Sequence, residues 1–261
     1  MGLRDQTAVI TGSTSGIGLG LAEAFAGAGC KLVINGFAQP AAAQALVERL
    51  EQTHKTEVLF HPADLAHGDQ CAALIHAAEE RFGTVDILIN NAGIQYVAPV
   101  QDFPADRWDA ILAVCLSAAF HTTRAVLPGM QQRGYGRIIN TASAHGLVAS
   151  INKSAYVAAK HGIVGLTKVA ALENAKRGIT CNAICPGFVL TPLVQKQIDD
   201  IAAQRGISND EARNQFLNEK QPSEQFTSIE DIAELALFLC SPAAKNITGA
   251  SLSIDGGWTA R

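Results

Sequence analysis

The chain has 261 residues, of which 48% are apolar and 17% charged, and its 20 Lys and Arg against 24 Asp and Glu give a formal net charge of −4. This composition excludes intrinsic disorder, and the slightly acidic balance lacks the basic footprint of a nucleic-acid or anionic-membrane binder. The length suffices for a sizeable core in one large domain or two small ones. No uninterrupted apolar run reaches the ~18 residues of a membrane span. The opening MGLRDQTAVI has no apolar signal-peptide centre and runs straight into a strand pattern, so a cytoplasmic location is expected. Six cysteines, at positions 30, 71, 115, 181, 185 and 240, are scattered as core thiols of a reducing compartment would be. Cys181 and Cys185 lie four apart with a segment between them that reads as strand, and no Cys-x-x-Cys or paired His supports a ligand set, so no metal is expected.

The first predicted strand is Thr7–Ile10, followed by Thr11-Gly12-Ser13-Thr14-Ser15-Gly16-Ile17-Gly18 and a helical Leu19–Ala26. Glycines at this strand-to-helix turn let the backbone approach a pyrophosphate, and the helix N-terminus offers it free N–H groups. The second strand, Leu32–Asn35, ends in Gly36-Phe37. It has no carboxylate there to grip a ribose 2′-hydroxyl. Neither that turn nor the glycine loop has an Arg or Lys to receive a 2′-phosphate, which points to NAD over NADP. Phe37 either packs on adenine or is a core aromatic. Pro40 then opens a helix over Ala41–Leu50, and strands follow at Val58–Phe60, Ile87–Asn90, Arg137–Asn140 and Thr180–Ile184. Ser154–Lys168 reads as a helix. Residues 190–228 hold helical pieces without a strand, the pattern of a substrate lid. Ile229–Cys240 is an amphipathic helix with Glu230 and Asp231 in its first turn, and Ser251–Ile254 is the last strand. Alternating strands and helices predict one α/β domain, a doubly wound parallel sheet with helices on both faces.

Tyr156 and Lys160 lie four apart on the predicted helix and therefore on one face. Ser143 lies just past the strand Arg137–Asn140, at the carboxyl end where such sheets bind ligands. A free phenol titrates near 10, and a neighbouring ammonium lowers that value. A tyrosine tuned in this way takes a proton from an alcohol while hydride leaves the same carbon, and a serine hydroxyl steadies the forming carbonyl. Alone, Tyr-x3-Lys is equally an ordinary surface pair. His145, Lys153 and Gln95 fall near the same centre. A cation with several donors suggests a small anionic substrate held through its carboxylate, although Lys153 in isolation is equally a solvated loop residue.

Thr11-Gly12-x3-Gly16-x-Gly18, Asn90-Asn91-Ala92-Gly93, Ser143, Tyr156-x3-Lys160 and Pro186-Gly187-x3-Thr191 together resemble the short-chain dehydrogenase/reductase family, from the first strand to the C-terminus. That resemblance implies a Rossmann-type sheet of about seven strands, a homotetramer, and Ser143, Tyr156 and Lys160 as the catalytic set. It implies cofactor contacts at Gly12, Thr14, Ser15, Gly16, Ile17, Gly18, Phe37, Asn91, Ala92, Gly93, Pro186, Gly187 and Val189. Asp64 and Leu65 flank adenine in this scheme, Lys160 holds the nicotinamide ribose, and Thr191 meets the carboxamide. One position departs from the pattern: the family usually carries Asn where this chain has Cys115, which predicts reduced but retained turnover. A closer likeness to the family's small hydroxy-acid dehydrogenases runs through Lys196-Gln197-Ile198, Glu219-Lys220-Gln221-Pro222-Ser223 and Asp255-Gly256-Gly257-Trp258. It implies that Gln95, His145, Lys153 and the lid residue Gln197 bind a carboxylate and that Trp258 borders the apolar end. Phe188 replaces a frequent Trp, which leaves the pocket roomier. Two other readings stay open: a reductase of another small 3-oxo acid or of carrier-bound 3-oxoacyl thioesters, and a dinucleotide-binding regulator without catalysis.

Overall fold

The computed structural model describes residues 3–260; Met1, Gly2 and Arg261, which end the segments quoted above, lie outside them. In chain order the elements are β1 (Thr7–Ile10), α1 (Gly16–Gly27), β2 (Lys31–Asn35), α2 (Pro40–His54), β3 (Val58–His61), α3 (Gly68–Phe82) and β4 (Ile87–Asn90). They continue with α4 (Ala105–Leu112), α5 (Ala118–Arg133), β5 (Gly136–Thr141), α6 (Ser154–Asn174), β6 (Ile179–Pro186), α7 (Pro192–Arg205), α8 (Asn209–Asn218), α9 (Ile229–Cys240) and β7 (Ser251–Ile254). The strands form one parallel sheet in the order β3-β2-β1-β4-β5-β6-β7. From β1 the chain builds outward to β3, then returns to the other side of β1 at β4. That reversal opens a crevice beyond the carboxyl ends of β1 and β4.

The strands are apolar throughout because both faces are covered. Ala8, Ile10, Leu32, Ile34, Ile87 and Ile89 face α1 and α9, where Leu21, Phe25, Ile232 and Leu239 meet them. Their alternates Val9, Val33 and Leu88 face α3, α5 and α6 through Leu74, Ile75, Val126, Met130 and Ala170. The parallel registers Ala8↔Leu32 and Ala8↔Ile87 keep these layers level. Helix ends follow local chemistry. Pro40 opens α2, the Ser228 hydroxyl accepts from the Asp231 N–H at the start of α9, and Ser208 and Glu211 form a capping box on α8.

Strand centres fall where the sequence placed them; β1, β4 and β7 match in full, and the other strands extend by one or two residues at one or both ends. The stretch between β4 and β5 is a continuous helical run, Ala105–Arg133, with a π-turn at Ala113–Ser117 between α4 and α5. By length and composition this run is apolar enough to cross a membrane, yet it packs against α3, α6 and the sheet, as a core helix does. Helices α7 and α8 form a hairpin with a small core of its own, made by Ile198, Ala202 and Ala212 with Val194 and Phe216. All six cysteines are buried free thiols.

Candidate active site

A cleft of about 680 Å³ occupies the crevice. One end is built by the glycine loop. A Cβ on Gly12 would sit 2.8 Å from Ala92 Cα, and one on Gly18 would sit 2.1 Å from the Gly12 carbonyl oxygen. Gly12 and Gly16 also hold φ of +61° and +54°, the region that favours glycine. The α1 N-cap, Ser15, makes no side-chain cap, and no acid sits in the first turn, so the helix start is open to an anion. Thr11 Oγ1 accepts from the Asn91 and Ala92 N–H groups, and Asn91 Nδ2 donates to the Thr11 and Gly12 carbonyls. Where a carboxylate often ends β2, Asn35 braces the loop instead. Its Oδ1 accepts from the Gly12 N–H, and its Nδ2 donates to the His61 and Ala63 carbonyls at 3.0 Å.

Gly12, Thr14, Ser15, Gly16, Ile17, Gly18, Phe37, Asp64, Leu65, Asn91, Ala92, Gly93, Pro186, Gly187, Val189 and Thr191 all line this cleft. Phe37 is 80% exposed, so of its two readings the core aromatic falls away. Among the described lining residues the cations are Lys153 and Lys160, both away from the Gly36-Phe37 turn. The cradle and the open helix start fit a dinucleotide.

Ser143, Tyr156 and Lys160 meet at the middle of the cleft. A buried polar lattice sets their supports. Thr122 donates to Asn90 (2.7 Å), Asn90 donates to Asn140 (2.9 Å), and Asn140 donates to Thr167 on α6 (2.8 Å), tying β4 and β5 to the helix that carries the tyrosine. Lys160 Nζ donates to the Thr141 carbonyl at 2.6 Å and lies 5.5 Å from the centre of the Tyr156 ring. The electrostatics correct one expectation. Burial pushes the Tyr156 phenol above its usual value of 10, against a lowering hydrogen bond from Ser143, and burial pulls Lys160 down. Desolvation therefore outweighs the Ser143 hydrogen bond, the Lys160 head is engaged by the Thr141 carbonyl, and the resting phenol keeps its proton.

Beyond this centre stand Gln95, His145, Lys153, Gln197 and Trp258. Gln197 on α7 donates to Gln95 at 3.3 Å, so the hairpin touches the loop after β4. Lys153 lines the cleft and is not a solvated loop residue. Burial and Lys220 lower it from 10.5 to about 8, while Glu219 opposes the shift weakly and itself pairs with Lys220 at 3.5 Å. Burial, then Lys153 and Lys220, bring His145 down to about 3, so its ring is neutral. Trp258, positioned by Asp255 accepting from the Gly257 and Thr259 N–H groups, packs on His145 and Phe188 at ring distances of 5.0 and 4.6 Å. Phe216 on α8 extends that aromatic wall, 4.2 Å from Phe188.

Cys115 is the predicted residue that does not line the cleft. It is buried in the π-turn, where its Sγ accepts from the Ile94 N–H at 3.3 Å and donates to the Ile94 carbonyl at 3.4 Å. The thiol thus holds the cleft-lining Ile94 segment from behind. Sequence reasoning gave no role to Asn35, Ile94, Ser150, Phe216 or Lys220. Asn35 and Ile94 line the cleft beside predicted residues, whereas Ser150, Phe216 and Lys220 join it through tertiary contacts that no local spacing marks.

A doubly wound sheet with a glycine cradle and a Ser-Tyr-Lys set at its switch point defines a short-chain dehydrogenase/reductase, and the chain belongs to that family. Its residues 12–259 match the family described as enoyl-(acyl carrier protein) reductase. The chain is 53% identical over 259 residues to the D-beta-hydroxybutyrate dehydrogenase of Cupriavidus necator, covering 99% of this chain and 100% of that one. It is 52% identical over 256 residues to the enzyme of the same description from Rhizobium meliloti, covering 98% and 99%. The crystal structure of L-sorbose reductase from Gluconobacter frateurii, complexed with NADPH and L-sorbose, superposes with a TM-score of 0.95 at 31% identity, covering 100% and 99% of the two chains.

Proposed function

We propose that this enzyme reversibly oxidises (R)-3-hydroxybutyrate to acetoacetate with NAD. The observation that carries the reading is the single cleft in which Ser143, Tyr156 and Lys160 face the cation Lys153, two side-chain amides and a neutral imidazole. The similarity to two D-beta-hydroxybutyrate dehydrogenases supports the same substrate. Lys153 pairs with the carboxylate, Gln95 and Gln197 fix its orientation, and the His145 ring borders it. The aromatic wall of Phe188, Phe216 and Trp258 takes the methyl end.

The glycine loop would hold the pyrophosphate of a dinucleotide, Phe37, Asp64 and Leu65 would border its adenosine, and Lys160 and Thr191 would hold its nicotinamide half. A nicotinamide held there would supply the acceptor for the C3 hydride. Tyr156 takes the hydroxyl proton as the C3–O double bond forms, and Ser143 donates a hydrogen bond to the same oxygen. Because burial keeps the phenol protonated, the resting site is set for reduction, and oxidation requires the phenol to ionise. Turnover in the oxidative direction therefore rises with pH. NAD is favoured over NADP because no described cation lines the Gly36-Phe37 turn.

Residues 190–228 act as a lid within a single domain. The Gln197–Gln95 bond bridges the cleft in support of this. A homotetramer is supported by exposed Phe120 on α5 and exposed Val169 and Leu172 on α6. A cytoplasmic location goes with six free thiols. The test is absorbance at 340 nm with both 3-hydroxybutyrate enantiomers and both NAD and NADP. The expected result is NADH formation from the (R) enantiomer. Equal rates with (S), or a preference for NADP, refute the substrate or cofactor assignment.

A further inference from the structure

The geometry points to Lys220 as a positioning residue that orients the Ser143 hydroxyl toward the reacting oxygen through Ser150 and His145. The residue follows α8 and reaches the loop between β5 and α6, its Nζ 2.6 Å from Ser150 Oγ. Ser150 Oγ lies 2.7 Å from His145 Nε2, and His145 Nδ1 lies 3.5 Å from Ser143 Oγ, a long contact. The His145 backbone N–H also donates to Ser143 Oγ at 3.1 Å.

The direction of this chain follows from the donor at its head. An ammonium donates and never accepts. Ser150 therefore receives at its oxygen, which frees its own hydrogen for Nε2, the direction assigned to this contact. The imidazole is neutral, held there by burial and by the charges of Lys153 and Lys220. A neutral ring that accepts at Nε2 carries its proton on Nδ1, which faces Ser143. The serine oxygen is then met by two donors, so its hydrogen is left for the Tyr156 phenol or the substrate oxygen. With Lys220 removed, Ser150 is free to rotate and the ring to protonate at Nε2 instead. Nδ1 then draws the Ser143 hydrogen away from the reacting centre. Glu219 and the Trp258 ring, at 3.5 and 5.6 Å, hold the Lys220 head in place, and the side chain is only 23% exposed. Lys220 is thus a device for setting a proton's direction, distinct from Lys153, which meets the substrate charge.

This inference rests on the reaction proposed above, and its primary test does not depend on turnover. Enzyme labelled with 15N at histidine reports each ring's tautomer by long-range 1H–15N correlation, with His145 assigned by its loss in His145→Gln. The expected result is protonated Nδ1 and bare Nε2 in the wild type, with a shift toward the Nε2-protonated form in Lys220→Met and in Ser150→Ala. Retention of the Nδ1 proton in both variants, or an Nε2 proton in the wild type, overturns the inference whatever the substrate proves to be. In kinetics, Lys220→Met lowers kcat roughly tenfold, the loss of a well-aligned hydrogen bond to a charged group, while KM moves less than about twofold. Lys220→Arg restores both, and Lys220→Met combined with Ser150→Ala loses no more than either alone. A loss confined to KM, or additive losses, assigns Lys220 to substrate charge and contradicts the relay.

Discussion

Replacing Lys153 with Met separates substrate anchoring from chemistry. In the free enzyme Lys153 has moved from 10.5 to about 8, mainly through burial. Holding the unpaired ammonium there costs ~3 kcal/mol, an order-of-magnitude figure. A bound carboxylate relieves that cost and adds a charge-assisted hydrogen bond worth about 1.5–3 kcal/mol. Lys153→Met therefore lowers kcat/KM for (R)-3-hydroxybutyrate roughly 10- to 150-fold, chiefly through KM. Butan-2-ol, which has no carboxylate, loses nothing. The charge also fixes the pH response. Lys153 is cationic below its pKa, so substrate affinity is intact below pH about 8 and falls above it, while kcat for oxidation rises as the phenol ionises. In Lys153→Met the alkaline rise in KM disappears. The assay is steady-state NADH formation between pH 6 and 10 with both alcohols. An equal loss on butan-2-ol, or an unchanged alkaline limb in the variant, refutes the anchoring argument.

Phe37→Arg removes an exposed ring, costs no core packing, and supplies a guanidinium for a 2′-phosphate. The NADP-to-NAD ratio of kcat/KM rises roughly tenfold or more, and an unchanged ratio means that this turn does not read the ribose. Cys115→Asn replaces two weak sulfur contacts to Ile94 with amide hydrogen bonds and raises kcat severalfold, whereas Cys115→Ala loses both contacts and lowers it. Identical kcat in all three forms makes position 115 immaterial to turnover.

Much of the fold was legible because strands buried on both faces write continuous apolar runs, such as Thr7–Ile10 and Ile87–Asn90, whose limits coincide with β1 and β4. The glycine loop was legible because the chain permits no side chain at Gly12 or Gly18 without collision. The phenol's titration was not. Spacing reveals that Tyr156 and Lys160 share a helix face, but not that Lys160 is buried with its head on the Thr141 carbonyl or that desolvation governs both groups. Lys220 was also out of reach, because its bond to Ser150 spans 70 residues of sequence. Asn35 shows the converse: its sequence signal was a missing carboxylate, while its work is to brace the glycine loop.

Tyr156→Phe, assayed for turnover of (R)-3-hydroxybutyrate and, in the same preparation, for NADH binding by fluorescence, tests the proton-transfer role most directly. The hydroxyl alone is removed, the ring still packs against His145, and the glycine cradle is untouched. Binding within about threefold of wild type, with turnover reduced by roughly 10³-fold or more, is the predicted result. Turnover within tenfold of wild type contradicts the proton-transfer role and the reaction built on it.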